Sequence, residues 1–355
     1  DDLALMDWLN QRIWPAEEKH VSAVFVRDGS LVAAAEMLAG GVTTVNDMYF
    51  FPQASAEAFL EAGLRAVVGM TVIDFPSAYA SDADDYLAKG LAARDALKDE
   101  PLLSFAFAPH APYTISDATF ERIATLADQL DLLVHTHLHE TAAEIADSLK
   151  THGVRPLERL ARLGLVAPNL VAAHAVHLED GEIATLAERG CRLVHCPGSN
   201  LKLASGIARV ADWARAGVRF GFGSDGAASN NRLDVFAEMR LAALLAKGAS
   251  GDATALPAHA ALTAATLAAA RALDLGDQIG SIVAGKRADL VAVDLGGVET
   301  QPVFDPVSHL VYSCGREHVS HVWVDGVARV AEGKLLGLEP ADLAARAAYW
   351  GEKLR

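Results

Sequence analysis

Short apolar runs alternate with amphipathic stretches along most of this chain. Residues 3–38 read as helical, from Trp8, Leu9 and Ile13 and then an alanine-rich apolar face, until Gly40 and Gly41 stop the pattern. From there one unit repeats. Strands are predicted at 43–47, 65–74, 102–110, 132–140, 170–178, 191–197 and 219–225. Helices are predicted between them at 55–61, 84–97, 116–130, 142–150, 156–163, 180–189 and 207–216, with longer ones following at 233–247 and 258–272. Nearly continuous apolar strands separated by helices imply parallel strands covered on both faces, an α/β architecture. Seven strands are one short of the eight that close a barrel, so the pattern predicts either an open doubly wound sheet or a barrel whose first strand precedes residue 1.

Beyond residue 272 the texture changes. Residues 280–294 and 321–328 alternate apolar and polar positions around turn glycines with no intervening helix, which predicts a small antiparallel sheet, and 339–353 close the chain as a helix.

Composition narrows the functions this fold could carry. With 52% hydrophobic residues the chain can bury a large core, yet it contains no run of about 20 uncharged apolar residues, so no membrane span is expected. Acidic residues outnumber basic ones 46 to 30, for a formal net charge of −16. Nucleic acid and anionic membrane both draw on basic surfaces, so neither is expected as a partner, and a small neutral or cationic substrate fits better. Asp1, Asp2 and Leu3 show neither the basic nor the apolar region of a secretory signal. Cys191, Cys196 and Cys314 are too few and wrongly spaced for a disulfide framework or a CxxC site, which points to buried thiols in a reducing, cytoplasmic setting.

The candidate chemistry lies at the strand ends, where parallel barrels place their active sites. Read in order they are Asp47, Asp74, His110, His137 with Glu140, His174, His195 and Asp225. A lone histidine there is more often structural than functional. Seven polar ends converging on one place change that balance, because polar groups buried together are costly unless they pair or bind something. His137, Glu140, His174 and Asp225 are selected as the functional set, and Asp47, Asp74 and His195 could go either way. His135, His139 and His177 are expected to point outward or brace neighbours, and His152 and His309 to lie on the surface. Imidazole and carboxylate ligands without thiolate suit a zinc-like or iron-like divalent ion with an open position. Such an ion makes hydroxide available at about pH 7. Glu140, three residues beyond His137, can shuttle protons without ligating, so the set specifies hydrolysis of a C–N or C–X bond. No P-loop or serine nucleophile elbow supports a kinase or serine hydrolase.

Four motifs taken together, at 137–141, 173–178, 195–203 and 223–231, are similar to those of the amidohydrolase superfamily. More narrowly they resemble the 5′-methylthioadenosine/S-adenosylhomocysteine deaminases, within the triazine-hydrolase-type group. The resemblance runs over essentially the whole chain, from Trp14-Pro15-Ala16-Glu17 to the turn at 285–290. It implies a TIM-like (β/α)8 barrel with a small appended β-sandwich: a metal-dependent hydrolase barrel at 1–275, the remainder of the sandwich at 276–335 and a C-terminal helix at 336–355. It also implies that His137 and Asp225 bind one divalent metal, zinc or alternatively iron, that Glu140 contacts the purine and moves its protons, and that His174 positions the attacking water. Glu17, through ribose hydroxyls, and His110 would contact the nucleoside. The expected reaction adds hydroxide to C6 of the adenine ring, with Asp225 accepting the proton, Glu140 protonating N1 and ammonia leaving. The expected partners are a small adenine nucleoside and further copies of the chain, as a homodimer or higher homo-oligomer.

Two departures from the family pattern matter. Its His-x-His pair at the end of the first strand is not in this sequence, which agrees with the count of seven strands and implies a weakly held metal. Residues 66–88 contain no lysine or arginine but carry Asp74, Asp82, Asp84 and Asp85. Relatives that take S-adenosylhomocysteine would use basic residues here for its carboxylate, so 5′-methylthioadenosine or adenosine is favoured. The alternatives are a related hydrolase acting on guanine, an oxidised purine or a chlorinated triazine, and a metal-free nucleoside-binding protein.

Overall fold

The computed structural model describes residues 2–355, so Asp1 lies outside the described residues. Seven parallel strands form one sheet in sequence order: β1 (Thr44–Tyr49), β2 (Arg65–Val72), β3 (Leu103–Pro109), β4 (Leu133–Leu138), β5 (Leu170–His174), β6 (Arg192–His195) and β7 (Arg219–Phe222). Each strand hydrogen-bonds the next, with a helix crossing between them, so the sheet curls as an α/β barrel wall. Every residue of β2 is buried, as a strand sandwiched between barrel interior and helices requires.

The strands end earlier than the apolar runs suggested. Pairing stops at His174 in β5 and at Phe222 in β7, so Val176, Leu178 and Asp225 belong to the loops that follow. Glycine lets the wall pack tightly at one point: a Cβ on Gly221 would come within 2.9 Å of Ala269 on the covering helix.

Three expectations are corrected. The continuous helix over 3–38 is broken: a π turn at Leu9–Ile13 precedes the helix Trp14–His20, and Ser22 starts a new helix, Ala23–Ala39, by accepting a 3.2 Å bond from the Phe25 amide. The single helix over 258–272 divides at Thr266, whose φ of −125° and ψ of −97° leave the helical region. The expectation of no helix within the small sheet also fails. Its strands are β8 (Leu290–Val293), β9 (Val319–Val324), β10 (Val327–Ala331) and β11 (Lys334–Leu335), in order β11-β10-β9-β8. The helix Pro306–Tyr312 intervenes, started by Asp305, whose carboxylate accepts from the Val307 amide at 3.0 Å with proline in the first turn. Residues 280–289 form turns before β8.

The small sheet is fastened to the barrel by a buried, two-pronged ion pair. Arg65, the first residue of β2, donates to both oxygens of Asp289, at 3.0 and 2.9 Å, and Asp289 also accepts from the Asp325 amide at 2.8 Å. The helix Pro340–Lys353 returns to the Ala23–Ala39 helix, where Trp350 and Arg346 both donate to Asp28.

Candidate active site

The C-terminal strand ends open into one cavity of about 1710 Å³. His137 ends up there because residues 135 and 137 of β4 share a face, so both imidazoles point inward. The Nδ1 of His137 donates to the His110 carbonyl at 2.7 Å, which fixes the ring and leaves Nε2 as the free lone pair. His174, at the end of β5, stacks on His137 with centroids 5.4 Å apart. Its Nδ1 donates to Asn200 Oδ1 at 3.0 Å, and its Nε2 lies 3.8 Å from Glu140 Oε2. Glu140 is buried and accepts from the Ser205 hydroxyl at 3.3 Å. Glu144, from the first turn of the next helix, takes the backbone amides of His139 and Glu140 on its two oxygens, at 3.1 and 2.8 Å.

Asp225 completes the set. One of its oxygens accepts from Ser199 at 2.7 Å and Ser229 at 2.6 Å, and the other from the Gly226 amide at 2.7 Å. Burial alone would raise its pKa. His174 and His137, together with the two serine hydroxyls, outweigh that and hold the carboxyl below its usual range. Burial pulls His174 down, but Glu140 and Asp225 more than compensate and raise it, whereas burial and His174 lower His137. Glu140, His174, His137 and Asp225 are thus one coupled electrostatic unit. Four non-glycine residues in the left-handed region sit at these strand ends: His139 (φ 53°), His174 (φ 70°), Ala175 (φ 48°) and Asp225 (φ 60°). Such backbone costs about 1–3 kcal/mol each and collects where side chains must be aimed.

The two nucleoside-contact candidates line the same cavity. Glu17 accepts from the Tyr49 hydroxyl at 2.7 Å, and burial raises its pKa, the Tyr49 bond only partly offsetting this. His110 packs on His137 with centroids 4.9 Å apart, and burial, with His137, pushes it down to about 3, so it stays neutral.

The open candidates separate. Asp74 caps the helix Asp117–Leu130, accepting from the Ser116 amide at 2.6 Å and the Thr119 hydroxyl at 2.8 Å. His195 faces outward onto Trp213, centroids 5.9 Å apart, while its neighbours Val194 and Cys196 line the cavity. Asp47 lines the cavity with one buried oxygen unpaired, and burial raises it to about 6. His139 and His177 brace neighbours, as expected: His139 Nε2 accepts from the Leu157 amide at 3.1 Å, and His177 Nε2 bonds the Ser205 carbonyl at 2.7 Å. His135 was expected to point outward or brace. It does brace Asn46, at 3.2 Å, but from inside the cavity.

Sequence reasoning missed Tyr49, Ser199, Asn200 and Ser229. The last three lie inside motifs already singled out, yet their role depends on loops meeting in space, and no local signal exists for Tyr49.

The donor set fits a divalent metal in part. His137 Nε2 and the Asp225 carboxylate are oriented by outer partners, as ligands need to be. Cys196 also lines the cavity, but burial and then Asp225 raise its thiol well above its usual range, so it offers no thiolate. Among the described residues, no group of three or more His, Cys, Asp or Glu side chains forms a complete metal site.

The lining has a further property: among the described residues it includes no lysine or arginine. Its carboxylates are Glu17, Glu18, Asp47, Glu140 and Asp225, with Asp289, which is neutralised by Arg65 at the start of β2. An apolar wall stands beside Glu17, where Trp14 meets Phe75 edge-on, centroids 6.3 Å apart, with Trp8, Leu9 and Leu203 nearby. Among the described residues no helix is long and apolar enough to cross a membrane.

The chain is similar to known proteins over its whole length. The amidohydrolase family matches residues 1–329. A 5-methylthioadenosine/S-adenosylhomocysteine deaminase from Teredinibacter turnerae is 48% identical over 354 residues, spanning all of this chain and 80% of its own. A 5′-deoxyadenosine deaminase from Methanothermobacter thermautotrophicus is 41% identical over 344 residues, or 96% of this chain and 79% of its own. Among solved structures, a zinc-bound adenosine deaminase from Xanthomonas campestris superposes with a TM-score of 0.99 at 52% identity, covering all of this chain and 81% of that one.

Proposed function

The chain belongs to the amidohydrolase family, and from that premise we propose that it is a metal-dependent hydrolytic deaminase of adenine nucleosides. 5′-Methylthioadenosine is the favoured substrate, and an inosine-type nucleoside and ammonia are the products. The observation that carries the reading is the single buried unit of Glu140, His174, His137 and Asp225 at the mouth of a parallel barrel. Relatives with this fold and high identity are named as deaminases of such nucleosides.

His137 and Asp225 would hold the metal, zinc by analogy with the bound relative. When bound, it supplies Lewis acidity that makes hydroxide available near neutral pH. The chain's own groups do the rest. Asp225, kept ionised by two histidines and two serines, accepts the proton of the attacking water. His174, with Nδ1 committed to Asn200, presents Nε2 to orient that water towards C6. Glu140, held through its backbone by Glu144, delivers a proton to N1 as the ring rehybridises; Asp225 then passes its proton to the amine, which leaves as ammonia, while the Glu140 carboxylate takes the hydroxyl proton as the C6 carbonyl forms. Glu17 accepts from the ribose hydroxyls, and His110, neutral in the fold, contacts the nucleoside.

The preference for a neutral 5′ group rests on charge. A carboxylate tail entering this cavity would meet acids and no lysine or arginine, and an unpaired buried charge is expensive. A methylthio group would instead lie against the Trp14 and Phe75 wall. A cytoplasmic location agrees with three free, buried cysteines, and a homo-oligomer completes the reading. Steady-state deamination, followed at the purine absorbance, should rank 5′-methylthioadenosine and adenosine above S-adenosylhomocysteine in kcat/KM by at least about tenfold, equivalent to about 1.4 kcal/mol. Equal or better turnover of S-adenosylhomocysteine would remove the charge argument, and no turnover of any of the three would remove the deaminase reading.

A further inference from the structure

Two loops aim the reacting groups, and one side chain ties them together. The first follows β6 and forms the short helix Pro197–Lys202, whose consecutive residues Ser199 and Asn200 hold Asp225 and His174 respectively. The second follows β7 and carries Asp225 and Ser229. Glu238, on the helix Val235–Ser250, is 3% exposed and lies behind both. One of its oxygens accepts from the Gly198 amide at 2.8 Å, immediately before Ser199. The other accepts from Asn230 Nδ2 at 2.8 Å, and the same Nδ2 donates to the Ser224 carbonyl at 2.6 Å, immediately before Asp225. Glu238 does not line the cavity, so it touches neither substrate nor reacting atoms.

We infer that Glu238 is a positioning residue: a buried carboxylate that locks the β6 and β7 loops in register, so that the Ser199–Asn200 pair fixes the orientation of Asp225 and the tautomer of His174 together. Both oxygens of Glu238 receive donors, so only an acceptor at each end satisfies the site. Glycine at 198 is part of the same device: a Cβ there would stand 2.4 Å from Glu238 Oε1 and 2.8 Å from Asn230 Nδ2. Asn200 has no other means of being held to His174 than the placement of its helix, since its own Nδ2 is buried without a partner. If the helix shifts, His174 loses the acceptor that keeps its proton on Nδ1, and Asp225 loses one of the two hydroxyls that orient it.

Glu238→Gln is the primary test, because the amide keeps the shape but turns an NH2 toward one of the two donors. Gly198→Ala is the second variant; it keeps the acid and pushes the helix from the other side. The first readout needs neither metal nor turnover: the 15N shifts of His174 in protein labelled at histidine, recorded on the alkaline side of its titration, where the ring is neutral. The parent should show one tautomer protonated at Nδ1, and both variants a mixture, with thermal midpoints above the measuring temperature. The second readout rests on the deaminase reading. Both variants should lose about 10- to 100-fold in kcat with KM changed less than about threefold, the scale typical of groups that orient ligands. Combining Glu238→Gln with Ser199→Ala should cost little more than Glu238→Gln alone. The inference is overturned if folded variants keep the parent His174 signature, or if the two losses multiply. A parent that shows the signature but no deamination would count against the function alone and leave the clamp standing.

Discussion

The ends of β4 to β7 and the strand β1 face the same cavity, and the proposed reacting groups of the first are more fully hydrogen-bonded than the polar side chains of the second. On the first side His137, His174 and Asp225 each have an orienting partner: His137 the His110 carbonyl, His174 Asn200, Asp225 Ser199 and Ser229. On β1, Thr44 Oγ1, Asn46 Oδ1 and one Asp47 oxygen are buried without partners. The difference shows where aim is built in. Groups that must move protons are held by a second layer of bonds, and an unpaired buried oxygen is a cost with no orienting return.

The largest expected effect comes from breaking the organised side. Asp225→Asn removes the proton acceptor and leaves Ser199 and Ser229 facing an amide, so kcat/KM for 5′-methylthioadenosine should fall by about 10³-fold or more. A loss below about tenfold, with the protein folded, would show that Asp225 is not the acceptor.

A second test uses His195, one residue off the site and turned onto Trp213. Burial, with His174 adding to it, lowers its pKa to about 3, against an ordinary value near 6.5. Because the folded value is the lower one, the unfolded chain binds more protons between pH 6.5 and 3. Stability is therefore fully present above about pH 6.5 and is lost as the pH falls toward 3. His195→Leu should cost less than about 1.5 kcal/mol at pH 7 and flatten the decline of the urea midpoint between pH 7 and 4. An unchanged or steeper decline would contradict burial of a neutral imidazole.

The smallest effect is expected on β1. Thr44→Val replaces an unpaired hydroxyl with a methyl group of the same shape, so stability at pH 7 should be unchanged or rise by up to about 1 kcal/mol. A loss of more than about 1 kcal/mol would mean that Thr44 has a partner in solution and that the contrast between the two sides is overstated.

The layout of the wall and the clustering of the residues proposed to react were legible because each apolar run stops on a polar residue, and those stops lie at one end of a parallel sheet. Direction was not. Val194, His195 and Cys196 read as one continuous strand end, yet only the first and third face inward, because a single residue changes the face. His135 shows the converse, lying inside because it shares its strand face with His137. Ser199, Asn200 and Glu238 act through contacts between loops far apart in sequence, so periodicity carries no trace of them. The helix Pro306–Tyr312 falls in the stretch between the segments at 280–294 and 321–328, where only seven residues are helical and the pattern shows too few turns to stand out.

The most direct test of the account is ammonia release from 5′-methylthioadenosine by the parent protein and by Glu140→Gln, with metal content measured on both. The account predicts one ammonia per inosine-type product for the parent. For the variant it predicts loss of that turnover with metal content unchanged, because Glu140 moves protons and does not ligate. Turnover retained in Glu140→Gln, or metal lost along with activity, would contradict it.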